Sequence, residues 1–278
     1  MSNIFGLDIG GSGIKGAPVD LARGELVGER VRLVTPAGAK VDEIAKTAGE
    51  VVASFGYTGL AGAAFPAVIV DGRARNASNI DAGWIGTDVA GTLSTATGCD
   101  VRVLNDADAA GLAEMRYGAG RDIGGTVALL TLGTGIGSAL FLDGELVPNT
   151  ELGHLEIDGQ DAELKTAGSA REREDLSWEQ WARRLSKYLR HFEALLWPDL
   201  FILGGGVSRK ADKFVPLLEG VRTKIVVAEL QNGAGIIGAA LWASQAVSAQ
   251  HAGVGRGASQ TTGLAPQTTG GASQATGG

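Results

Sequence analysis

The sequence predicts an α/β protein built from two related lobes, on three observations. Apolar runs that read as strands end in glycine clusters: Ile4-Phe5-Gly6-Leu7-Asp8-Ile9 before Gly10-Gly11-Ser12-Gly13, Val127-Ala128-Leu129-Leu130-Thr131-Leu132 before Gly133-Thr134-Gly135-Ile136-Gly137, and Leu200-Phe201-Ile202-Leu203 before Gly204-Gly205-Gly206. The first two resume a strand-like run after the turn, so one strand, glycine turn, strand unit occurs twice, about 120 residues apart. Segments with helical spacing alternate with these strands, the pattern of an α/β chain.

The elements follow in order. The first glycine cluster joins the two strands of a hairpin. Residues 42–55 place Ile44, Ala45, Ala48, Val51 and Val52 on one helical face. Val68-Ile69-Val70-Asp71-Gly72-Arg73 and Phe141-Leu142-Asp143-Gly144-Glu145-Leu146 carry Asp-Gly turn signals and predict two further hairpins. Val101-Arg102-Val103-Leu104 reads as a strand, and residues 106–117, rich in Ala, Leu, Glu and Met, as the helix behind it. Ser177 and Gln180 form a capping-box pattern, after which Trp178, Trp181, Ala182, Leu185, Leu189, Phe192 and Leu196 recur at helical spacing until Pro198 stops the helix. Arg183, Lys187 and Arg190 share its outward face, with Arg184 beside them. Residues 234–247 are small or apolar and predict a buried last helix with Asn232 as cap. Residues 248–278 hold too few apolar groups to offset their ordering entropy and read as a flexible tail.

Composition narrows the function classes. A net charge of −7 argues against broad nucleic-acid binding. No apolar stretch is long enough to span a bilayer, and Met1-Ser2-Asn3-Ile4-Phe5 lacks a signal-peptide pattern. The single cysteine, Cys99, excludes an intramolecular disulfide and a Cys-rich zinc site and fits a reduced cytoplasm. The 44 glycines, about 16% against a usual ~7%, direct attention to the turns.

The first turn has a clear chemistry. Glycines let backbone N–H groups approach a phosphate, Ser12 adds a hydroxyl, Lys15 can bring positive charge to a phosphoryl group, and Asp8 can orient Mg²⁺ directly or through water. An ordinary tight hairpin would need no more than the same glycines. The spacing is not that of a P-loop, and no helix follows directly as in a dinucleotide fingerprint.

Together the clusters resemble a known family. Phe5 to Lys15 is similar to the first phosphate motif of sugar kinases in the actin-like ATPase superfamily, and Leu132 to Gly137 to the second. Asn105-Asp106-Ala107-Asp108 resembles the sugar-contacting catalytic segment of the ROK family, Glu151-Leu152-Gly153-His154 its sugar-binding Glu-x-Gly-His, and Leu203-Gly204-Gly205-Gly206-Val207-Ser208 its nucleotide-side motif. The resemblance implies a two-lobed, ribonuclease H-like fold with the active site in the interlobe cleft. It puts the first lobe at 1–104 and the second at 105–233, with the last helix packed back on the first. Most members carry a zinc-binding Cys-x-Cys-Gly-x-x-Gly-Cys after Glu-x-Gly-His. Here that region runs from Ile157 without cysteine, which implies no zinc. The segment from Arg171 to Trp181, and Leu196-Trp197-Pro198-Asp199-Leu200-Phe201-Ile202, are similar to the family's actinobacterial polyphosphate-using glucokinase branch.

That branch makes glucose 6-phosphate from glucose, or phosphorylates mannose, with inorganic polyphosphate or ATP. An ATP-only hexokinase is the alternative. By resemblance, Asp106 is the general base, although Asn105, Asp106 and Asp108 all suit a helix N-cap and Asp108 suits the helix dipole. Asn79, Asn105, Glu151 and His154 would hold the sugar, with Glu172 as a further glutamate and Glu156 and Glu174 as rivals. A lone histidine is more often structural, and Trp84 reads as packing. Asp8, Gly10, Gly11, Ser12, Gly13, Lys15, Gly133, Thr134, Gly135, Gly204, Gly205 and Gly206 would bind phosphate or nucleotide. The resemblance further implies Mg²⁺ at Asp8, a cytoplasmic homodimer, and neither nucleic-acid nor membrane partners. A ROK repressor would need a helix-turn-helix ahead of the first strand, where Asp8 leaves no room. The Glu-x-Gly-His segment argues against a filament-forming relative.

Overall fold

The computed structural model describes residues 3–78 and 80–254. The chain begins with an antiparallel hairpin of β1 (Ile4–Gly10) and β2 (Gly13–Asp20), to which β3 (Glu25–Leu26) and β4 (Val31–Leu33) add on the β2 side. After helix α1 (Val41–Ala53), β5 (Leu60–Phe65) returns parallel to β1. The small hairpin β6 (Ile69–Val70) and β7 (Arg73–Ala74) and helix α2 (Val89–Thr97) lead to β8 (Asp100–Asn105), parallel to β5. Helix α3 (Asp106–Tyr117) passes to a second sheet, where β9 (Thr126–Leu132), β10 (Ile136–Leu142) and β11 (Glu145–Val147) form an antiparallel meander. Next come the hairpin β12 (Glu156–Ile157) and β13 (Gln160–Asp161) and helices α4 (Ala162–Thr166), α5 (Gly168–Arg173) and α6 (Trp178–Leu196). β14 (Leu200–Gly204) pairs parallel with β9, β15 (Lys224–Val227) parallel with β14, and α7 (Ala234–Val254) follows.

The internal repeat is a repeat of topology. The sheets have the orders β3-β2-β1-β5-β8 and β11-β10-β9-β14-β15. In each, the first hairpin strand pairs in parallel with a later strand, which pairs in parallel with a third. Both Asp-Gly hairpins form as expected, with φ of 52° and 73° at Asp71 and Gly72 and of 51° and 84° at Asp143 and Gly144.

The strand pattern explains where the core lies. Along β9, Val127 and Leu129 face a cluster with Leu104, Ala109, Ile202 and Ala239, while Ala128, Leu130 and Leu132 face one with Trp181, Leu185, Leu189 and Phe192. Alternate residues point to opposite faces of a strand, so a continuous apolar run is what a sheet covered on both sides requires. Helix α6 covers one face. Ser177 caps it through a complete capping box, and each fully buried large apolar side chain on its stripe contributes about 1.5–3 kcal/mol. Helices α3 and α7 pack on each other beside the other face, and α7 also lies against β1 and β5 of the first sheet. Glu114, buried at the end of α3, fixes the approach to α7 by accepting the N–H groups of Ala119, Glu229 and Leu230 at 2.9, 3.1 and 2.7 Å.

Three expectations are corrected. Asn232 is not the cap of α7: it lies inside a 3-10 turn, Gln231–Gly233, that runs into the helix. The helix continues to Val254, past the expected end near 247, while residues 255–278 lie outside the described residues. The outward face of α6 is also less free than its spacing implies. Arg183, Lys187 and Arg190 are exposed, but Lys187 pairs with Asp158, Arg190 donates to the Glu219 carbonyl at 2.9 Å, and Arg184 donates to Glu174 at 2.8 Å. The acceptors come from segments remote in sequence, which helical spacing does not register. Among the described residues no helix is long and apolar enough to cross a membrane.

Candidate active site

Turns at the C-terminal ends of parallel strands meet between the sheets, where α/β folds gather ligands. A cavity of about 500 Å³ is lined by Gly11 and Ser12 after β1, Pro66 and Ala67 after β5, Asn105 and Asp106 at the β8–α3 junction, and Gly133, Thr134 and Gly135 after β9. Glu151, His154 and Glu163 line its far side. A neighbouring cavity of about 230 Å³ is lined by Asp8, Lys15, Gly205, Gly206, Ser208 and Arg209. Asp106, Thr131 and Gly205 line both, so the Asp106 carboxyl stands where they meet.

The α3 cap is resolved in favour of Asn105. Its Oδ1 accepts the N–H groups of Ala107 and Asp108 at 2.8 and 3.1 Å, and its Nδ2 donates to the Ala67 carbonyl at 3.2 Å. Asp106, the first helical residue, is thereby released from capping the first turn, and its Oδ1 accepts its neighbour's N–H at 2.8 Å. Burial, then the nearby Asp8 carboxylate, push the Asp106 carboxyl up to about 7, with smaller contributions from Glu151 and Asp108. A group poised there can take a proton near neutral pH. Asp108 is not an exposed dipole charge. It is 1% exposed, its Oδ2 accepts the Asn149 N–H at 2.8 Å, and its Oδ1 is unpartnered among the described residues.

Glu151 precedes and His154 ends the 3-10 turn Leu152–His154, and both line the cavity. His154 Nδ1 lies 2.7 Å from Asp161 Oδ2, and its Nε2 lies 4.0 Å from Glu151 Oε2. The Asp161 hydrogen bond outweighs partial burial and raises the His154 pKa, while burial raises that of Glu151 against the nearby imidazole. This pair stabilises the folded chain fully below the unfolded histidine value of about 6.5, and the contribution fades as pH rises through the higher folded value. Asp161→Asn is therefore expected to lower the His154 pKa, read from its imidazole proton shifts against pH. An unchanged titration would show that Asp161 does not hold the ring charge.

The third acidic residue of the cavity is Glu163, not Glu172. Glu163 enters at the start of α4, capped by Asp161, and its Oε2 accepts the Ile136 N–H at 2.7 Å just beyond the second glycine turn. A Cβ on Gly135 would stand 2.3 Å from that oxygen, so the glycine makes room for the carboxylate. Glu172, on α5, is exposed and lines a different cavity, Glu156 is exposed on β12, and Glu174 is bound to Arg184. The sequence signal that could have found Glu163 is its place two residues after Asp161, a residue type suited to cap a helix. Asn79 lies outside the described residues; Asn76 and Ser78 of the same loop line the cavity. Trp84 is buried, donating to the Ala39 carbonyl at 3.0 Å and packing on Phe65.

Of the predicted phosphate residues, Asp8, Gly11, Ser12, Lys15, Gly133, Thr134, Gly135, Gly205 and Gly206 line these cavities, whereas Gly10, Gly13 and Gly204 do not. A Cβ at Gly11 would meet nothing within 4 Å, so its lack of side chain leaves open approach from the cleft. Gly205 has a different requirement: its φ of 80° is left-handed, and a Cβ would lie 2.5 Å from the Leu132 backbone. Lys15 donates to Asp8 at 3.0 Å. A cation not anticipated, Arg32 on β4, fills the space beside Gly13 and donates to the Ser12 carbonyl at 2.7 Å.

Residues 4–168 match the model of the ROK family. The chain belongs to that family. It is 53% identical over 238 residues to a polyphosphate glucokinase of Mycobacterium tuberculosis (strain CDC 1551 / Oshkosh), covering 85% of this chain and 89% of that one. It is 51% identical to a polyphosphate glucokinase of Mycobacterium leprae, covering 85% and 73%. Among solved structures, the inorganic polyphosphate/ATP-glucomannokinase of Arthrobacter sp. strain KM superposes with a TM-score of 0.85 at 49% identity, over 88% of this chain and 100% of that one. The two-lobed actin-like fold of ROK sugar kinases is thus this chain's fold. Asn105, Asp106, Glu151 and His154 of the quoted motifs line its cleft, as does Glu163, while Glu172 does not.

Proposed function

We propose that this ROK-family chain transfers a phosphoryl group to the 6-hydroxyl of glucose from inorganic polyphosphate, and also from ATP. The observation that carries the reading is the position of Asp106 at the junction of the two cavities. One side offers the carboxylates and imidazole of Glu151, Glu163 and His154, an array suited to paired sugar hydroxyls. The other offers the Gly205-Gly206 backbone, Ser208, Lys15 and Arg209, suited to phosphate. Identity to polyphosphate glucokinases supports the donor.

In this reading Asp106 accepts the hydroxyl proton as the sugar oxygen attacks the terminal phosphorus, and the donor chain leaves one phosphate shorter. Glu151, His154 and Glu163 orient the sugar so that the attack is in line. Asp8 would hold Mg²⁺ directly or through water. Among the described residues no three His, Cys, Asp or Glu gather into a metal cage, and a single carboxylate completed by phosphate oxygens and water is a donor set that Mg²⁺ accepts. When bound, the ion supplies positive charge against the phosphoryl oxygens.

The path of a long polyanion is read from cations without ion-pair partners, of which Arg171 stacks on the Trp178 ring at 3.9 Å. Arg171, Arg209 and Lys210 line a cavity of about 360 Å³ that opens beside Gly133, Thr134 and Gly206, and none of the three side chains makes an ion pair among the described residues. Replacing Arg209 and Lys210 together by Gln is expected to raise the KM for long polyphosphate about three- to tenfold and to weaken its salt dependence. Michaelis constants at two ionic strengths check this, and no change at either places the chain elsewhere. The primary test of function is the initial rate of glucose 6-phosphate formation with each donor. Turnover with ATP alone would establish the ATP-only alternative, and mannose as competitor sets the sugar preference. A homodimer, implied by resemblance, is tested by sedimentation.

A further inference from the structure

Asn149 joins the two halves of the sugar-facing cavity by its backbone and its side chain at once. Its carboxamide clasps the main chain of Ile69: Oδ1 accepts the Ile69 N–H at 2.8 Å, and Nδ2 donates to the Ile69 carbonyl at 2.9 Å. Its own N–H is held by the buried Asp108 at 2.8 Å. These three bonds link segments far apart in sequence, at 69, 108 and 149. Ile69 opens the β6–β7 hairpin and packs into the core of the first sheet. Asn149 follows β11 of the second sheet, and α3 carries Asp108 between them.

The neighbours of each partner are the walls of the cavity. Pro66, Ala67 and Asn76 lie near Ile69 in the chain and line the cavity, and Asn76 Oδ1 accepts the Val68 N–H at 2.7 Å, which ties the two ends of that loop together. Thr150 and Glu151 follow Asn149 on the other, with the Thr150 carbonyl accepting from Ser138 at 2.5 Å. Asn149 has φ of 60°, a left-handed conformation that a short amide side chain tolerates and that other residues adopt at a cost. Asp108 has no second partner to explain its burial among the described residues: it is spent on this one N–H.

We propose that Asn149 is an interlobe positioning residue, with Asp108 as its anchor, which sets the distance between the Pro66–Asn76 wall and Glu151 and so the fit of the sugar. The proposal rests on the reading of this cavity as the sugar site. Asn149→Ala removes both bonds to Ile69 and is expected to raise the KM for glucose about tenfold or more, while the KM for polyphosphate and for ATP stays within about twofold. Asp108→Ala is expected to move glucose KM in the same direction, and Asp108→Asn, which retains an acceptor for the Asn149 N–H, to restore it. Amide hydrogen exchange at Ile69, without sugar, is expected to be slow in the unmodified chain and fast in Asn149→Ala.

A shift of glucose and donor constants by one common factor, or a lower melting temperature with unchanged constants, would reduce Asn149 to a structural role and overturn the proposal. If Asn149→Ala does not fold, the Asp108 pair decides: equal glucose constants in Asp108→Ala and the unmodified chain overturn it. An unmodified chain that binds no glucose by calorimetry overturns the sugar-site reading and the proposal with it. That outcome differs from failure of the bridge alone, in which the unmodified chain and Asn149→Ala bind glucose equally.

Discussion

Asp106→Asn is expected to lower turnover by about 10²–10⁴-fold, the usual contribution of a general base, while glucose still binds. The amide keeps the acceptor that bonds the Ala107 N–H and loses the group that takes the proton. In the unmodified enzyme, turnover is expected to rise with pH through about 7, because on this reading the carboxyl, held up by burial and by Asp8, must ionise before it can act. The same shift has an opposite consequence for stability. Its folded value is raised above 3.8, so the folded chain keeps a proton that the unfolded chain releases between about pH 4 and pH 7. Ionisation therefore costs stability progressively over that window, and in full above about 7. Asp106→Asn removes the cost, so its melting temperature exceeds that of the unmodified chain at about pH 8 and matches it near pH 4. Rate and melting curves moving in opposite directions distinguish a lost base from a damaged fold. Near-normal turnover, with the folding intact, would end the assignment.

Gly62→Ala is expected to destabilise the chain by about 3 kcal/mol or more, a fall of about 6–12 °C in melting temperature. Helix α7 approaches the first sheet and α3 backbone to backbone. A Cβ would stand 1.8 Å from the Ala239 carbonyl oxygen at Gly62, 2.0 Å from that of Ile236 at Gly6, and 1.7 Å from that of Ala109 at Gly238. These neighbours are main-chain atoms of packed elements, so neither partner can rotate aside, and relief requires moving the helix that lies against β1, β5 and α3. Gly11→Ala is the contrast, since its added methyl meets nothing within 4 Å and its φ is not left-handed. It leaves the melting temperature within about 1 °C and instead obstructs the approach of phosphate, raising the donor KM. A Gly62→Ala protein that melts like the parent would mean that α7 has slack the packing does not reveal.

The readable features of this sequence were those whose cause is local. Turn chemistry specified the Asp71-Gly72 and Asp143-Gly144 hairpins, since Asp-Gly tolerates positive φ at both positions. The Ser177 capping box and the apolar stripe behind it specified α6, and the recurring strand, glycine turn, strand unit specified two sheets of one topology. Asp8 and Ser12 were legible in the chemistry of the first glycine turn, whereas Thr134 and Asp106 were singled out by resemblance to the family's motifs; all four line the cleft.

Choices among equals were decided by contacts distant in sequence. Asn105 and Asp106 are equally good caps as residue types; the Ala67 carbonyl, supplied by the first sheet, takes the Asn105 amide and fixes Asn105 as the cap, leaving Asp106 only its neighbour's N–H. Glu163 and Glu172 are both glutamates after His154, and only the fold of the β12–β13 hairpin brings the first beneath the second glycine turn. The basic face of α6 was correctly placed outward, yet its availability depended on Asp158 and Glu219, which no helical period encodes. The sequence by itself determined the two Asp-Gly hairpins, the capped helix α6 and the glycine turns that reach the cleft, because dihedral preference and periodicity act over a few residues. Tertiary structure alone decided which carboxyls burial pushes upward, Asp106 and Asp108 among them, and which polar groups meet, because desolvation and Coulomb interactions depend on distance in space and not along the chain.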